Sequence, residues 1–179
     1  MPVPEAPLTD TGNGLTPAGP GWFIVNVAEA YGLSHPTAGK YARFENPDAA
    51  QFPHFGINIH VLQPGEPNAK YHAESAQEAF LVLDGECTLI VEGEERRLRK
   101  WDFFHSAPMT RHVLVGAGDG PCAILMVGAR LEDEELEYPA SDLAAKYGAE
   151  APEPTSDGKL AYSDWSNEFT PEKLGWPVD

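Results

Sequence analysis

The stretch Glu78-Ala79-Phe80-Leu81-Val82-Leu83-Asp84-Gly85-Glu86-Cys87-Thr88-Leu89-Ile90-Val91 decides the fold class. Two short apolar runs rich in β-branched and aromatic residues flank an Asp-Gly step, which reads as two strands around a hairpin turn. The same rhythm extends in both directions. Upstream, His54 to Leu62 alternates with period two, and Gln63-Pro64-Gly65-Glu66-Pro67-Asn68 is a turn. Downstream, Glu92-Gly93-Glu94-Glu95 turns again, followed by strand signals at 96–99, 101–104, 112–115 and 122–128. Short strands with a turn every ~8–12 residues predict an all-β barrel or sandwich.

Beyond this block the text changes character. Residues 1–20 are rich in Pro, Gly, Thr and Asp and read as a flexible N-terminal arm. The barrel is expected over 21–130, with additional strands at Trp22 to Val27 and Tyr41 to Phe44. Residues 131–179 form an acidic C-terminal extension, with a short helix over 142–147 capped by Ser141 or Asp142. Trp165, Phe169 and Trp176 stand in this otherwise polar tail, so it is expected to pack on the barrel or on a partner subunit.

Composition excludes several classes of function. The 179 residues carry 28 acidic and 12 basic side chains, a net charge of −16, which opposes binding to nucleic acid or to an anionic membrane. No apolar run approaches the ~20 residues of a spanning helix, and the first residues lack the basic and apolar regions of a signal peptide, so a cytoplasmic location is expected. Cys87 and Cys122 both lie in strand-like apolar runs and read as buried free thiols.

Four residues carry candidate chemistry. His72 and Glu74 are two apart, which on an extended chain places both on one face. Glu78 opens one strand, with Phe80 and Val82 continuing its inward face, and His112 opens another, with Leu114 inward. If these strands line one barrel, imidazole and carboxylate groups converge in a set suited to Zn²⁺, Fe²⁺, Mn²⁺, Ni²⁺ or Co²⁺ and too nitrogen-rich for a calcium cage. His60, His105 and Gln77 are alternative side chains for the same pocket. The inner wall is expected from Phe80, Val82, Leu89, Val91, Phe103, Leu114 and Met126, or from their neighbours of opposite parity.

The run Gly65, His72-Ala73-Glu74, Glu78 and Gly85 resembles the first motif of the cupin family, and Leu98 to His112 is similar to its second. The resemblance covers roughly 54–130. It departs where Glu74 replaces the second histidine of a His-x-His pair, where Trp101 and Met109 replace glycines, and where Gly116 replaces an asparagine. The resemblance implies a small jelly-roll barrel (a double-stranded β-helix) with one divalent metal per chain held by His72, Glu74, Glu78 and His112. A Glu74 left free of the metal would be the general base. Dioxygenases, isomerases, decarboxylases and epimerases share this barrel, so the resemblance implies a metal-dependent enzyme, an oxidoreductase, isomerase or lyase, acting on a small organic molecule. The alternative is a non-catalytic binding or sensor barrel. Family resemblance also implies a homodimer that covers an exposed sheet edge.

Overall fold

A computed structural model describes residues 1–176. β1 (Leu8–Asp10) and β2 (Leu15–Pro17) come first, then β3 (Gly32–His35), β4 (Gly39–Arg43) and β5 (Phe55–Leu62). A two-residue β6 (Ala73–Glu74) leads into β7 (Glu78–Asp84), β8 (Glu86–Val91), β9 (Glu94–Arg99), β10 (Phe103–Ser106), β11 (His112–Ala117) and β12 (Cys122–Ala129). The C-terminal part holds β13 (Leu136–Glu137), the helices α1 (Asp142–Ala145) and α2 (Gly158–Ala161), and β14 (Thr170–Pro171). No helix among the described residues is long and apolar enough to cross a membrane.

Two antiparallel sheets face each other. The larger has the order β10-β7-β12-β5-β4-β3-β14, and the smaller β11-β8-β9. Period-two alternation sends Phe80 and Val82 of β7, Ile124 and Met126 of β12, Leu89 of β8 and Leu114 of β11 into one shared core between them. β10 contributes Phe104 to this core, whereas Phe103 is 64% exposed, so the expected inward parity of that strand is reversed. The outer face of the large sheet is also covered. Ile59, Val61 and Ala123 pack there under Val25, Val27, Leu174 and Trp176, which explains why β5 and β12 are apolar on both faces. On the small sheet, Ile90, Val113 and Val115 pack outward against Ala144 and Ala149 of the extension.

Three expectations need correction. Asp84-Gly85 is not a hairpin: β7 pairs with β10 and β12, while β8 pairs with β9 and β11. Gly85 is a one-residue corner between the sheets. Its φ is +70°, and a Cβ there would lie 2.3 Å from the Pro121 carbonyl oxygen, so only glycine fits. The true hairpin is β8–β9, where Val91 pairs with Glu94 and both loop residues have positive φ, Glu92 at 48° and Gly93 at 77°. Second, Trp22 to Val27 forms no strand; Trp22 makes one bridge to Glu5, and Val25 and Val27 serve as a coil cover over the large sheet. Third, the first twenty residues contain the β1–β2 hairpin, where the sequence reading placed an arm without strands. Its turn is closed by side chains: Asp10 accepts from the Gly12 N–H and Thr11 from the Asn13 N–H.

The two substituted motif glycines have a local signature. Trp101 and Met109 adopt φ of 74° and 64°, the left-handed region that glycine occupies without strain. Trp101 is also 67% exposed.

Candidate metal centre

Backbone pairing sets the site. His72 and His112 lie directly opposite each other and exchange two hydrogen bonds: the His72 N–H donates to the His112 carbonyl at 3.1 Å, and the His112 N–H to the His72 carbonyl at 2.8 Å. Their rings sit side by side, 4.9 Å between centroids. Each ring is then oriented by the same device. Nδ1 of His72 donates to the Lys70 carbonyl at 2.7 Å, and Nδ1 of His112 to the Thr110 carbonyl at 2.9 Å. A carbonyl can only accept, so Nδ1 carries a proton in both, and Nε2 is the ring nitrogen turned to the cavity and free to ligate.

Glu78 closes the third side from the first residue of β7, opposite Gly128 of β12. Donor atoms of His72, Glu78 and His112 all lie within 4.8 Å of one another. Glu78 Oε2 and His112 Nε2 face each other at 3.0 Å, yet both are buried without a hydrogen-bond partner. Two orphaned polar atoms aimed at one point are costly unless something shared satisfies them. The set of two neutral nitrogens and a carboxylate, with open positions, fits Zn²⁺, Fe²⁺, Mn²⁺ or Ni²⁺. Burial and the neighbouring His112 hold the His72 imidazole below its usual pKa, in the neutral form that metals bind.

Glu74 lines the same cavity but stands outside this group of three. Burial, then the negative charges of Glu78 and Glu134, push its carboxyl up to about 8. His105 and Gln77 point away, exposed on the surface. His60 does line the cavity, although the sequence placed it on the polar face of β5: that face is the inner one. Asn58, Tyr138, Tyr162, Glu134 and Arg130 complete the wall of a cavity of about 430 Å³. Of the apolar wall expected from sequence, Phe80 and Met126 reach the cavity.

His60 also makes a testable prediction. Burial lowers its pKa to about 4, and its Nδ1 has no partner. The unfolded chain takes up a proton near pH 6.5, while the folded ring stays neutral down to about pH 4. Stability is therefore complete above pH 6.5 and is lost as the pH falls toward 4, by up to about 3 kcal/mol from this group. Urea denaturation at pH 7 and pH 4.5 should show a smaller pH-linked loss in His60→Gln than in the wild type. An unchanged loss would assign the acid sensitivity to other groups.

Comparison with known proteins now adds to the geometry. Residues 58–128 match the family model of the cupin domain. This segment is a cupin domain. Its two sheets are the double-stranded β-helix of that superfamily. Among solved structures, one from Acidithiobacillus ferrooxidans, provisionally assigned as a sugar phosphate isomerase, is 27% identical over 57% of this chain and 67% of its own, with a TM-score of 0.50. A sugar phosphate isomerase from a cupin superfamily in Silicibacter pomeroyi is 23% identical over 65% of this chain and 68% of its own, also at 0.50. The polyketide cyclase RemF of Streptomyces resistomycificus is 15% identical over 62% and 82%, at 0.51, a likeness of fold alone. No curated protein matches the chain. The cupin match spans the three converging side chains but ends before Glu134, Tyr138 and Tyr162, so the extension supplies this chain's own part of the wall.

Proposed function

We propose that this cupin is a metal-dependent enzyme acting on a small organic molecule, with His72, Glu78 and His112 as metal ligands. The observation that carries the reading is the pair of buried, unpartnered atoms Glu78 Oε2 and His112 Nε2, 3.0 Å apart beside His72. When bound, a divalent ion there supplies Lewis acidity at a substrate oxygen. The chain supplies the rest. The paired backbone of His72 and His112 and the two carbonyl-anchored Nδ1 atoms fix the ligand geometry before any ion arrives. Glu74, on the cavity wall and not needed among the three ligands, is the proposed proton-transfer group, giving or taking a proton at the substrate atom next to the polarised oxygen. Movement of a proton between neighbouring atoms is isomerase chemistry, the reading we place first. Lyase and oxidoreductase chemistry use the same parts.

The proposed assembly is a homodimer, for which exposed Trp101, Phe103 and Met109 at and beside edge strand β10 offer apolar surface. A cytoplasmic setting suits the two unpaired buried thiols.

Elemental analysis of the purified protein is expected to find about one divalent transition ion per chain. Chelation should lower the melting temperature, and returning Zn²⁺, Mn²⁺, Ni²⁺ or Fe²⁺ should restore it. A protein that neither retains nor is stabilised by any of these ions has no metal centre at this place, and the binding-barrel reading would then stand.

A further inference from the structure

Beside this cavity lies a second pocket, the aromatic arm, and its walls differ from those of the metal side. This arm, about 380 Å³, is lined at its far end by His35, Tyr41, Trp165 and Phe169, and among the described residues no Asp, Glu, Lys or Arg is part of its wall. It lies next to the metal-side cavity, and four residues between the two, here called the waist, line both: Asn58, His60, Asn68 and Tyr162.

The aromatic end is rigid and neutral. His35 Nδ1 accepts from the N–H groups of Thr37 and Ala38, at 3.1 and 3.2 Å, so its Nε2 must carry the proton it donates to the Ser166 carbonyl at 2.8 Å. Trp165 and Phe169 pack on that ring at 5.6 and 5.0 Å. Phe169 also meets Tyr41 edge-on at 6.3 Å, and Tyr41 stacks on His60 at 5.1 Å. Trp165 is fixed further by Nε1 donating to the Gly148 carbonyl at 3.1 Å.

At the waist, two residues are occupied and two are not. Asn68 Oδ1 accepts from the Leu114 N–H, and the Tyr162 hydroxyl accepts from the Lys70 N–H. Asn58 Oδ1 and His60 Nδ1 are buried without partners. Both residues line the two pockets, so these unpartnered atoms lie beside the path of a ligand that reaches from one to the other.

Charge narrows the ligand class. Among the described residues, the metal-side wall carries Glu74, Glu78 and Glu134 against a single cationic side chain, Arg130. That guanidinium is committed to Glu45, through Nη1 at 2.9 Å and Nη2 at 2.7 Å. With Glu78 taken up by the ion, a phosphate dianion would still face Glu74 and Glu134 and, beyond the ion itself, no lining cation among the described residues that is not already paired.

We propose that the ligand is a non-phosphorylated molecule with an oxygen donor at the metal side and a flat, uncharged ring in the aromatic arm. This rests on the metal reading of the neighbouring site, and it separates this chain from a sugar phosphate substrate. Aromatic walls accept a ring face or edge without desolvating any charge, and their rigidity lowers the ordering cost of binding.

Calorimetry with defined probes tests it. Metal-loaded protein should bind 3-phenylpropanohydroxamate at least about tenfold tighter than acetohydroxamate, because both present the same chelating head and only one carries a ring. Phe169→Ala, which removes a wall, and Ala38→Phe, which fills the arm, should each erase most of that ratio while leaving metal content and acetohydroxamate affinity unchanged. Fructose 6-phosphate should bind no tighter than fructose. A ring advantage below about threefold in the wild type, a ratio untouched by both variants, or a preference for the phosphorylated sugar would overturn the proposal. Should the protein hold no metal, the arm is still tested by 3-phenyl-1-propanol in the metal-free protein. Binding that Ala38→Phe abolishes keeps the arm as a ring site and removes only the metal reading; absence of binding removes the arm.

Discussion

His112→Ala is expected to abolish metal uptake, with the affinity falling by at least about a thousandfold, since outer-shell changes alone typically cost 10–100-fold. His112 is fully buried, and its Nε2 is one of the two orphaned atoms of the centre. With it gone, His72 and Glu78 remain, one nitrogen and one carboxylate, too few to hold a tetrahedral ion against water. The same substitution opens a void. The imidazole packs between Phe80 at 5.2 Å, Phe104 at 5.5 Å and His72 at 4.9 Å, so a metal-independent loss of about 2–4 kcal/mol accompanies it. His112→Phe separates the two effects. It fills the space but offers no lone pair, so the metal-free protein should melt close to the wild type while metal-induced stabilisation disappears. If His112→Phe is stabilised by Zn²⁺ or Mn²⁺ as the wild type is, the ion sits elsewhere.

Lys70→Met should cost about 3–5 kcal/mol in denaturant unfolding, the second largest single effect. Lys70 is fully buried, and its ammonium spends all three donors on the extension: the Gly148 carbonyl at 3.2 Å, the Glu150 carbonyl at 2.8 Å and Asp164 Oδ2 at 2.8 Å. The Trp165 ring lies 4.8 Å away. Asp164 is half exposed, and the Gly148 carbonyl keeps the Trp165 Nε1 donor, so most of the loss comes from the Glu150 carbonyl left without a donor and from the released packing of the extension. Limited proteolysis should accordingly speed up within 140–176. The Lys70 carbonyl also anchors His72 Nδ1, so metal affinity should drop with it by about 10–100-fold. Lys100→Met is the matched control: its pair with Asp84 is exposed on both sides, and its loss should be a small fraction of that at Lys70. Equal losses in the two variants would refute the special role of Lys70.

The sequence made the strands between His54 and Arg130 legible because each alternates over one shared core and is bounded by turn residues. Pairing was harder to read. Asp84-Gly85 carries the composition of a hairpin, but one residue cannot close one, and the chain there changes sheets. Trp22 to Val27 has strand composition because it, too, covers apolar surface, and covering a sheet demands the same residue types as belonging to one. β3 was missed for the opposite reason, as Gly32, Ser34 and the turn-rich text around them hide a four-residue strand. At the centre, His72, Glu78 and His112 could be picked out from spacing and strand starts. His60 was offered only as an alternative for the pocket, since Asn58 and His60 share the polar parity of β5, and here the inner wall is the polar one. Tyr138, Tyr162, Trp165 and Phe169 come from a segment without periodicity, whose return over the barrel depends on long-range contacts such as that of Lys70 with Asp164.

The pairing of β14 with β3 has a bearing on how the molecule is made. Ser34 and Thr170, neighbours in that ladder, are 136 residues apart in the chain. During synthesis, β3 is made well before residues 165–171. Until they arrive, the β3 margin of the large sheet has open main-chain groups and the Tyr41 side of the aromatic arm has no lid. A chain can therefore assemble its histidine pair before it can discriminate among ligands, so the selectivity proposed for the arm would be acquired only once residues 165–171 have closed over it.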